Sequence, residues 1–360
     1  MGNFQPQHRH SIFCILPPYI LRALAEKGND KQRSVALKSL SDDMTFRSLR
    51  IGTRVPSGLN RKRPSAFLVA GDKQRTIFSA KNSETLPGVT VRAEGSPPSG
   101  DPAADEAYDG LGATYDFFWE QFKRNSIDDE GMPLHGTVHF GENYANAFWD
   151  GQRMVFGDGD NELFNRFTLS LDVIAHELTH GVTEDEAQLL YSGQSGALNE
   201  SVSDVFGSLV KQYTLKQTAN EADWLIGAEL FTDKVKSRNG KPAAIRSMKD
   251  PGSAYDDPVL GKDPQPKHMK DFVNTFEDNG GVHINSGIPN HAFYLVATAI
   301  GGNAWEKAGR IWYETLIDAR LKPNVTFQRF AELTIENAKR FKAEAAVRKA
   351  WSQVGISLIV

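Results

Sequence analysis

The sequence predicts an α+β protein of two halves that follow a short basic segment. Residues 66–168 contain short runs of β-branched and aromatic residues separated by Gly, Pro and Asn, a pattern typical of strands and turns. From residue 169 onward the apolar residues recur at helical spacing. A histidine-bearing helix begins where the two patterns meet. We therefore predict three regions, residues 1–65, 66–168 and 169–360, with a ligand cleft between the last two.

The elements of each half follow from the same patterns. In the β-rich half, strands are predicted at residues 76–78, 88–92 and 137–140. One helix interrupts them at residues 103–125, where large apolar residues recur every three or four positions. In the second half, helices are predicted at residues 195–215, 288–300, 303–320, 326–340 and 342–352.

Residues 1–65 form a basic head. They carry twelve Lys and Arg against four Asp and Glu, a balance of +8, while the rest carries 29 against 41, a balance of −12, which sums to −4. Such a head could bind nucleic acid or a membrane. Because the body has the opposite charge, we instead expect the head to dock onto it. We expect no nucleic-acid partner, no membrane partner and a monomeric chain.

The head contains one predicted helix at residues 20–27, entered through Pro17 and Pro18 and ended by Gly28. Residues 57–64 are predicted to form an exposed, cleavable linker. The apolar stretch at residues 12–16 is too short for a signal peptide, and no apolar run approaches the roughly 18 residues of a membrane span. Cys14 is the single cysteine, which excludes an intrachain disulfide framework.

The most specific motif is H-E-x-x-H within the helix-sized segment at residues 172–180. His176 and His180 are four residues apart, so both imidazoles lie on one helix face within reach of one metal ion. Glu177 lies beside that ion, and Glu200 follows in an acidic block at residues 199–204. Two imidazoles and one carboxylate with an open fourth position hold a catalytic zinc. The alternative is an exposed helix with two solvated histidines, which the acidic block disfavours. The pattern predicts a zinc hydrolase.

Several segments together resemble the thermolysin family of zinc endopeptidases. Nineteen residues separate His180 from Glu200, which is the spacing of that family. The head, with C-I-L-P-P-Y-I-L-R at residues 14–22, resembles the short propeptides of the protealysin-like branch. The resemblance implies a two-domain thermolysin-like zincin made as a zymogen. The other family-like segments are N-A-F-W at 146–149, G-D-G-D at 157–160, I-R-S-M at 245–248 and D-N-G-G-V-H-I-N-S-G at 278–287.

The resemblance implies a neutral endopeptidase with one catalytic zinc on His176, His180 and Glu200. It makes Glu177 the general base, which takes a proton from the attacking water and passes it to the leaving amine. Peptides or proteins are the implied substrates. We expect secretion without a recognisable signal peptide, with retention in the cytoplasm as the alternative.

Further residues are implied around the zinc ligands. The developing oxyanion would be met by His283 and Tyr191, with Asp278 holding the His283 imidazole in its protonated form. Asp204, four residues after Glu200 on the same helix face, can accept the outer N–H of His176. Asn199 is a second candidate for an outer hydrogen-bond partner of the ligands.

Substrate contacts also follow from the resemblance. Asn146 and Arg246 match positions that hydrogen-bond the substrate backbone, and Ala147 matches one that presents its main chain. An apolar pocket would favour a bulky apolar residue immediately after the scissile bond, although the same residues could simply form core. The pocket residues are Phe164, Phe167, Val173, Ile226, Leu230 and Ile245.

The family's double-calcium site is predicted to be lost. Its ligand positions read Asp172, Lys211, Asp223, Leu225 and Ala228, so three of five ligands are absent, and a hard cation needs six or more oxygens. We expect the Lys211 ammonium to pair with Asp172 and Asp223 instead.

Two modes of inhibition by the head remain open. The Cys14 thiolate could take the open position of the zinc. Alternatively, Cys14 packs as a small apolar residue while Pro17, Pro18 and Tyr19 fill the substrate groove. Autocatalytic removal is expected near residues 65–67, because a cut before Phe67 or Leu68 suits the predicted preference.

Two other functions compete with the endopeptidase. One is a zinc-bearing binding protein without activity, which the intact Glu177, Tyr191 and His283 disfavour. The other is an exopeptidase, which needs a charged anchor for a substrate terminus, and the motifs supply no obvious one.

Overall fold

The computed structural model describes residues 13–52, 71–236 and 242–358. The predicted linker and the predicted maturation site at residues 65–67 lie outside this part of the chain. The described helices are α1 (Pro18–Lys27), α2 (Asp30–Gly52), α3 (Pro102–Phe122), α4 (Leu171–Glu186), α5 (Gly193–Leu215), α6 (Asp278–Asn285), α7 (Gly287–Ile300), α8 (Ala308–Leu316), α9 (Phe327–Ala338) and α10 (Glu344–Gln353). The strands are β1 (Phe13–Cys14), β2 (Arg75–Ser79), β3 (Val89–Ala93), β4 (Leu134–Val138), β5 (Ala147–Trp149), β6 (Met154–Phe156), β7 (Leu225–Ile226), β8 (Arg246–Ser247), β9 (Asp256–Asp257) and β10 (Gly261–Lys262).

The largest sheet has the strand order β1-β5-β6-β4-β2-β3. The pairs β2/β4 and β4/β6 are parallel, and the others are antiparallel. Strand β1 comes from the head, so the head extends the sheet of the body at the edge formed by β5. Helix α3 packs against this sheet. It begins at Pro102 after Asp101 accepts the Ala103 N–H and ends at Lys123, which adopts a left-handed conformation.

Helices α4 and α5 pack against each other at the junction of the two halves. Their close approach depends on Gly207, where an added Cβ would lie 2.4 Å from the Asp172 carbonyl oxygen and 3.4 Å from the His176 Cβ. Almost every side chain of α4 from residue 172 to residue 183 is buried. A glycine at this crossing therefore brings the acidic face of α5 up to the histidines of α4.

The α+β class, the β-rich first half and the helical second half are confirmed. The predicted helix at residues 103–125 is α3, and the helix predicted at residues 20–27 is α1. The prediction of a single helix in the head is wrong, because α2 follows α1. Its few apolar residues give a weak helical pattern, and it packs against α1 as a tertiary contact. The helix predicted at residues 303–320 corresponds to α8, which is shorter and spans Ala308–Leu316.

One large apolar core runs through the body and includes side chains of the head. Ile15, Leu16, Ile20, Leu21 and Leu24 are at most 1% exposed and belong to the same cluster as the buried residues of α4 and α5. Among the helices of the described ranges, none combines the length and apolarity needed to cross a bilayer.

Candidate active site

Three side chains of α4 and α5 form a group that can hold a metal ion. The His176 and His180 Nε2 atoms are 3.0 Å apart, and Glu200 oxygens lie 3.6 Å and 3.5 Å from them. All three residues are fully buried, and their ligand atoms lie within 4.8 Å of one another. The Glu200 Oε2 atom is buried without a hydrogen-bond partner among the described residues. Because unpaired buried carboxylate oxygens are costly, this donor set fits a bound cation.

The outer nitrogens of both histidines contact side chains of α5. His176 Nδ1 lies 2.8 Å from Asp204 Oδ1, and His180 Nδ1 lies 2.7 Å from Asn199 Oδ1. Ser203 Oγ lies 3.1 Å from the same His180 nitrogen. Ser203 was not predicted as part of the site, although it follows Asn199 by four residues on one helix face.

Asp204 is the centre of a buried polar network. Arg246 donates to its two oxygens at 2.8 Å and 2.7 Å, and Asn290 donates to it at 2.8 Å. Burial raises the Asp204 pKa, but Arg246 and His176 lower it by more, so the carboxylate stays ionised. Asn290 was not predicted, because it comes from the distant helix α7.

The pKa values of the site fit a metal centre. Burial, helped by the neighbouring His176, lowers the His180 pKa well below its usual value, which keeps the imidazole neutral as a ligand must be. Burial, followed by the nearby Glu200, raises the Glu177 pKa well above its usual value. Glu177 Oε2 accepts the Trp149 N–H at 3.1 Å.

Tyr191 and His283 both lie next to Glu200. The Tyr191 hydroxyl donates to Glu200 and lies 3.2 Å from His283 Nε2. Asp278 contacts His283 twice, at 2.6 Å from Nδ1 and at 2.9 Å from the backbone N–H. Burial lowers the His283 pKa, but Asp278 and Glu200 raise it by more, so its net pKa lies above the usual value.

The start of α6 supplies the turn that places Asp278 beneath the imidazole. Residues 278–281 all have positive φ values, including 89° and 74° at Gly280 and Gly281. An added Cβ at Gly281 would lie 2.9 Å from the Asn285 side chain. The consecutive glycines therefore permit a backbone path that a bulkier residue would strain.

The head crosses this site as an extended chain. Cys14 lies opposite Phe148 in the antiparallel pair β1/β5, and the Ile15 N–H donates to the Ala147 carbonyl at 3.3 Å. The Leu16 N–H donates to Asn146 Oδ1 at 3.1 Å.

Two more contacts hold the carbonyls of the same segment. Arg246 donates to the Ile15 carbonyl at 3.2 Å, and His283 Nε2 lies 3.2 Å from the Cys14 carbonyl oxygen. The structure therefore brings Asn146, Ala147 and Arg246 together on one stretch of main chain.

The main-chain contacts of the head with the site involve residues just before the expected segment. Residues 14–16 make the main-chain contacts, whereas Pro17 precedes α1 and Pro18 is its first residue. Tyr19 is half-buried against the core. These main-chain contacts lie just before the predicted segment, and the prediction that Pro17, Pro18 and Tyr19 fill the groove stays a prediction. The Cys14 side chain packs in a separate apolar cluster, which supports the apolar interpretation of this residue; the cluster contains Ala80, Phe140, Tyr144, Phe148 and Val155.

The predicted pocket residues lie together with the head in the buried core. All six side chains are fully buried, and so is Ile15 of the head. The six residues and Ile15 belong to one apolar cluster. Whether the six line a pocket or remain core therefore depends on removal of the head from the body. The six are Phe164, Phe167, Val173, Ile226, Leu230 and Ile245.

Lys211 lies among carboxylates at the other end of α4. Its Nζ is 3.2 Å from Asp172 and 3.2 Å from Asp223. Glu229, which was not predicted to take part, lies 3.9 Å from the same Nζ. Burial lowers the Lys211 pKa, but the three carboxylates raise it by more, so the amine stays charged. The expected pairing with Asp172 and Asp223 is present.

This fold and donor set define a zinc metallopeptidase, since two histidines and a glutamate surround one position beside Glu177. Known protein families identify the class more narrowly. The family model of the thermolysin metallopeptidase catalytic domain matches residues 66–184, and that of its alpha-helical domain matches residues 187–356. The chain belongs to the thermolysin family and is a metalloendopeptidase.

Similar proteins support this assignment over nearly the whole chain. The chain is 56% identical to an "Extracellular metalloprotease" of Pectobacterium carotovorum subsp. carotovorum, over 96% of this chain and 97% of the relative. It is 49% identical to "Protease PrtS" of a Photorhabdus strain, over 96% and 92%. The precursor of protealysin, a metalloproteinase from Serratia proteamaculans, has a similar structure, with a TM-score of 0.85, 52% identity, and coverage of 96% of this chain and 100% of that chain.

Proposed function

We propose that this chain is the precursor of a secreted zinc endopeptidase that cuts on the amino side of bulky apolar residues, with Glu177 as general base. The observation that carries the proposal is the metal-binding group of His176, His180 and Glu200 beside a peptide bond of the head that His283 and Ala147 contact from its two ends. Secretion is supported by the extracellular relative. The proposal also includes the predicted division of the chain into a propeptide at residues 1–65, a β-rich catalytic half at residues 66–168 and a helical catalytic half at residues 169–360.

His176, His180 and Glu200 would hold the zinc. When bound there, zinc supplies a Lewis acid that polarises a peptide carbonyl and lowers the pKa of water. Asp204 and Asn199 orient the two imidazoles through their outer nitrogens. Arg246 keeps Asp204 ionised, so the network that aligns His176 is fixed before substrate arrives.

Glu177 moves the proton. Its buried carboxylate has a raised pKa, which suits a group that takes a proton from water and delivers it to a leaving amine. The Ile15 backbone of the head lies close enough to Glu177 to lower its pKa, so the position of a leaving nitrogen is near this carboxylate. His283 and Tyr191 face the carbonyl side and stabilise the negative charge that develops there.

The main chain of a substrate would be held by Asn146, Ala147 and Arg246, which now hold residues 14–16. The side chain after the scissile bond would enter the apolar site that Ile15 occupies. Inhibition follows because a docked head excludes substrate from the same hydrogen-bonding positions.

The test is peptide hydrolysis by the matured enzyme with and without a zinc chelator, together with Glu177→Gln. We expect the variant to keep its zinc and to lose at least ~100-fold in turnover. A random peptide library gives the preference, which should be for large apolar residues after the cut. Full zinc with near-normal turnover, or a preference for charged residues, would contradict the respective assignment.

A further inference from the structure

The N-to-C direction in which the head runs through the site singles out one of its peptide bonds. The Cys14 carbonyl oxygen lies 3.2 Å from His283 Nε2, on the oxyanion side. The next nitrogen, that of Ile15, donates to the Ala147 carbonyl oxygen at 3.3 Å, and the Ile15 backbone lies near Glu177. A chain running in the opposite direction would place a nitrogen where this carbonyl is. The peptide bond between Cys14 and Ile15 therefore has its acyl side and its amine side at the groups that serve each of them.

We propose that the bond between Cys14 and Ile15 is an internal substrate, which the enzyme hydrolyses slowly in its own cleft. This inference rests on the proposed peptidase activity. Water adds across the amide: its oxygen forms the new Cys14 carboxylate, the C–N bond breaks, and both water protons move to the Ile15 nitrogen, which becomes an ammonium group. Ile15 is fully buried and apolar, as required of the residue after the cut.

Both ends of the cut bond remain bound. The upstream end is held by the β1/β5 pairing and the buried Cys14 side chain. The downstream end is held by the Leu16 contact with Asn146 and the Ile15 contact with Arg246. The new amine therefore stays next to the new carboxylate, so release of the product is slow and the nicked head still excludes substrate.

This arrangement also separates two cleavage reactions by their kinetics. While residues 14–16 occupy the cleft, residues 65–67 of the same molecule cannot occupy it. The cut after Cys14 is therefore intramolecular. A cut at the linker of a docked precursor requires a second molecule whose cleft is open.

The experiment uses the full-length, zinc-loaded chain. Samples over an about 100-fold range of dilution are denatured at intervals and their masses measured. We expect the fragment that begins at Ile15 to appear with a rate constant independent of dilution, since the reaction is intramolecular. Cleavage at the linker should slow in proportion to dilution. Ile15→Asp and Glu177→Gln should each abolish the first cut, whereas Arg22→Ala, on the exposed face of α1, should leave it unchanged.

A second readout needs no catalysis. In the Glu177→Gln precursor, hydrogen exchange should show the Ile15 and Leu16 amides protected, and Ile15→Asp should remove this protection. The proposal is overturned if these amides exchange freely, or if the bond stays intact while the matured enzyme cleaves an unrelated apolar peptide. If that peptide also stays intact, the proposed peptidase function itself has failed.

Discussion

Asn146 binds two parts of the head at once. Its Oδ1 accepts the Leu16 N–H, while its Nδ2 donates to Asp43 of α2 at 3.1 Å. The Tyr144 hydroxyl donates to the other Asp43 oxygen at 2.6 Å. Asp43 is buried, so it fixes the orientation of the Asn146 amide that receives the chain in the groove. At the scale of single residues, α2 therefore controls a contact made by Leu16, two residues after β1.

Asp43→Asn should weaken latency. The change leaves a buried donor without its acceptor, which costs about 1–3 kcal/mol, so the precursor should hydrolyse a peptide roughly tenfold faster. The measurement is the initial rate of peptide hydrolysis by precursor relative to matured enzyme. An unchanged rate would show that Asp43 does not position Asn146.

Asp42→Asn is the matched control, and it should change latency in the opposite direction to Asp43→Asn. Burial, followed by the nearby Glu84, raises the Asp42 pKa to about 6. Its charge therefore opposes docking above about pH 6, and this penalty disappears as pH falls towards the ordinary aspartate value near 4. Asp42→Asn should increase latency at about pH 8 and change little at about pH 4.

At the scale of elements, His139 joins the start of α3 to the loop after β6. Its Nδ1 lies 2.8 Å from Asp158, and its Nε2 lies 2.8 Å from Asp101, which precedes α3. The Asp158 hydrogen bond raises the His139 pKa most, burial lowers it, and Asp101 raises it further, to about 9. The imidazolium therefore links two segments through two carboxylates.

This link should make stability depend on pH. The folded pKa exceeds the unfolded value near 6.5, so the contribution is full below about pH 6.5 and is lost as pH rises through about 9. In a Glu177→Gln background, His139→Gln should lower Tm most at about pH 6 and least above about pH 9. His135→Gln, in β4, is the control: burial lowers the His135 pKa, so it should show no such loss between these values. A constant Tm difference for His139→Gln would contradict the link.

Lys211 predicts little dependence on calcium at the end of α4. The ammonium occupies the space between Asp172, Asp223 and Glu229, and it would repel a divalent cation at ligand distance. A calcium-selective chelator should therefore leave Tm unchanged. Lys211→Ala should cost about 3–5 kcal/mol, because it leaves a buried carboxylate unpaired, and calcium should restore part of this loss. A large drop on chelation of the natural chain would show calcium bound elsewhere.

At the scale of the whole molecule, apolar burial dominates the docking of the head. Arg22 pairs with Glu277 at 2.7 Å, but their side chains are 48% and 70% exposed, and such pairs contribute about 0–1 kcal/mol. Leu21 and Leu24 of α1 are fully buried. Replacing a buried leucine by alanine costs about 2–5 kcal/mol. The charge asymmetry of the sequence therefore favours encounter rather than affinity.

Leu24→Ala should release latency far more than Arg22→Ala does. The measurement is peptide hydrolysis by each precursor, with added salt as a second variable. Salt should have little effect on the natural precursor, because its docking energy is mainly apolar. Strong activation by salt, or equal effects of the two variants, would show that charge holds the head.

The sequence alone determined the zinc group and the general architecture. His176 and His180 lie one helical turn apart, and Glu200 and Asp204 repeat that spacing on α5, so local geometry fixes which side chains share a face. The patterns of strands β2 and β3, of part of β4, and of helices α1, α3, α5, α7, α9 and α10 are similarly local. Ser203 could have been found by the same spacing.

Only the tertiary structure decided how the head meets the site. The contacts of Leu16 with Asn146, Ile15 with Arg246 and Cys14 with His283 join residues 130, 231 and 269 positions apart. Main-chain hydrogen bonds carry no side-chain signature, so the sequence could not show that residues 14–16 make these contacts. The role of Asp43 depends on α2, whose weak pattern becomes a helix through packing. The spacing of side chains within one helix or strand can be read from the sequence. The alignment of distant elements against each other depends on the packing of the folded chain.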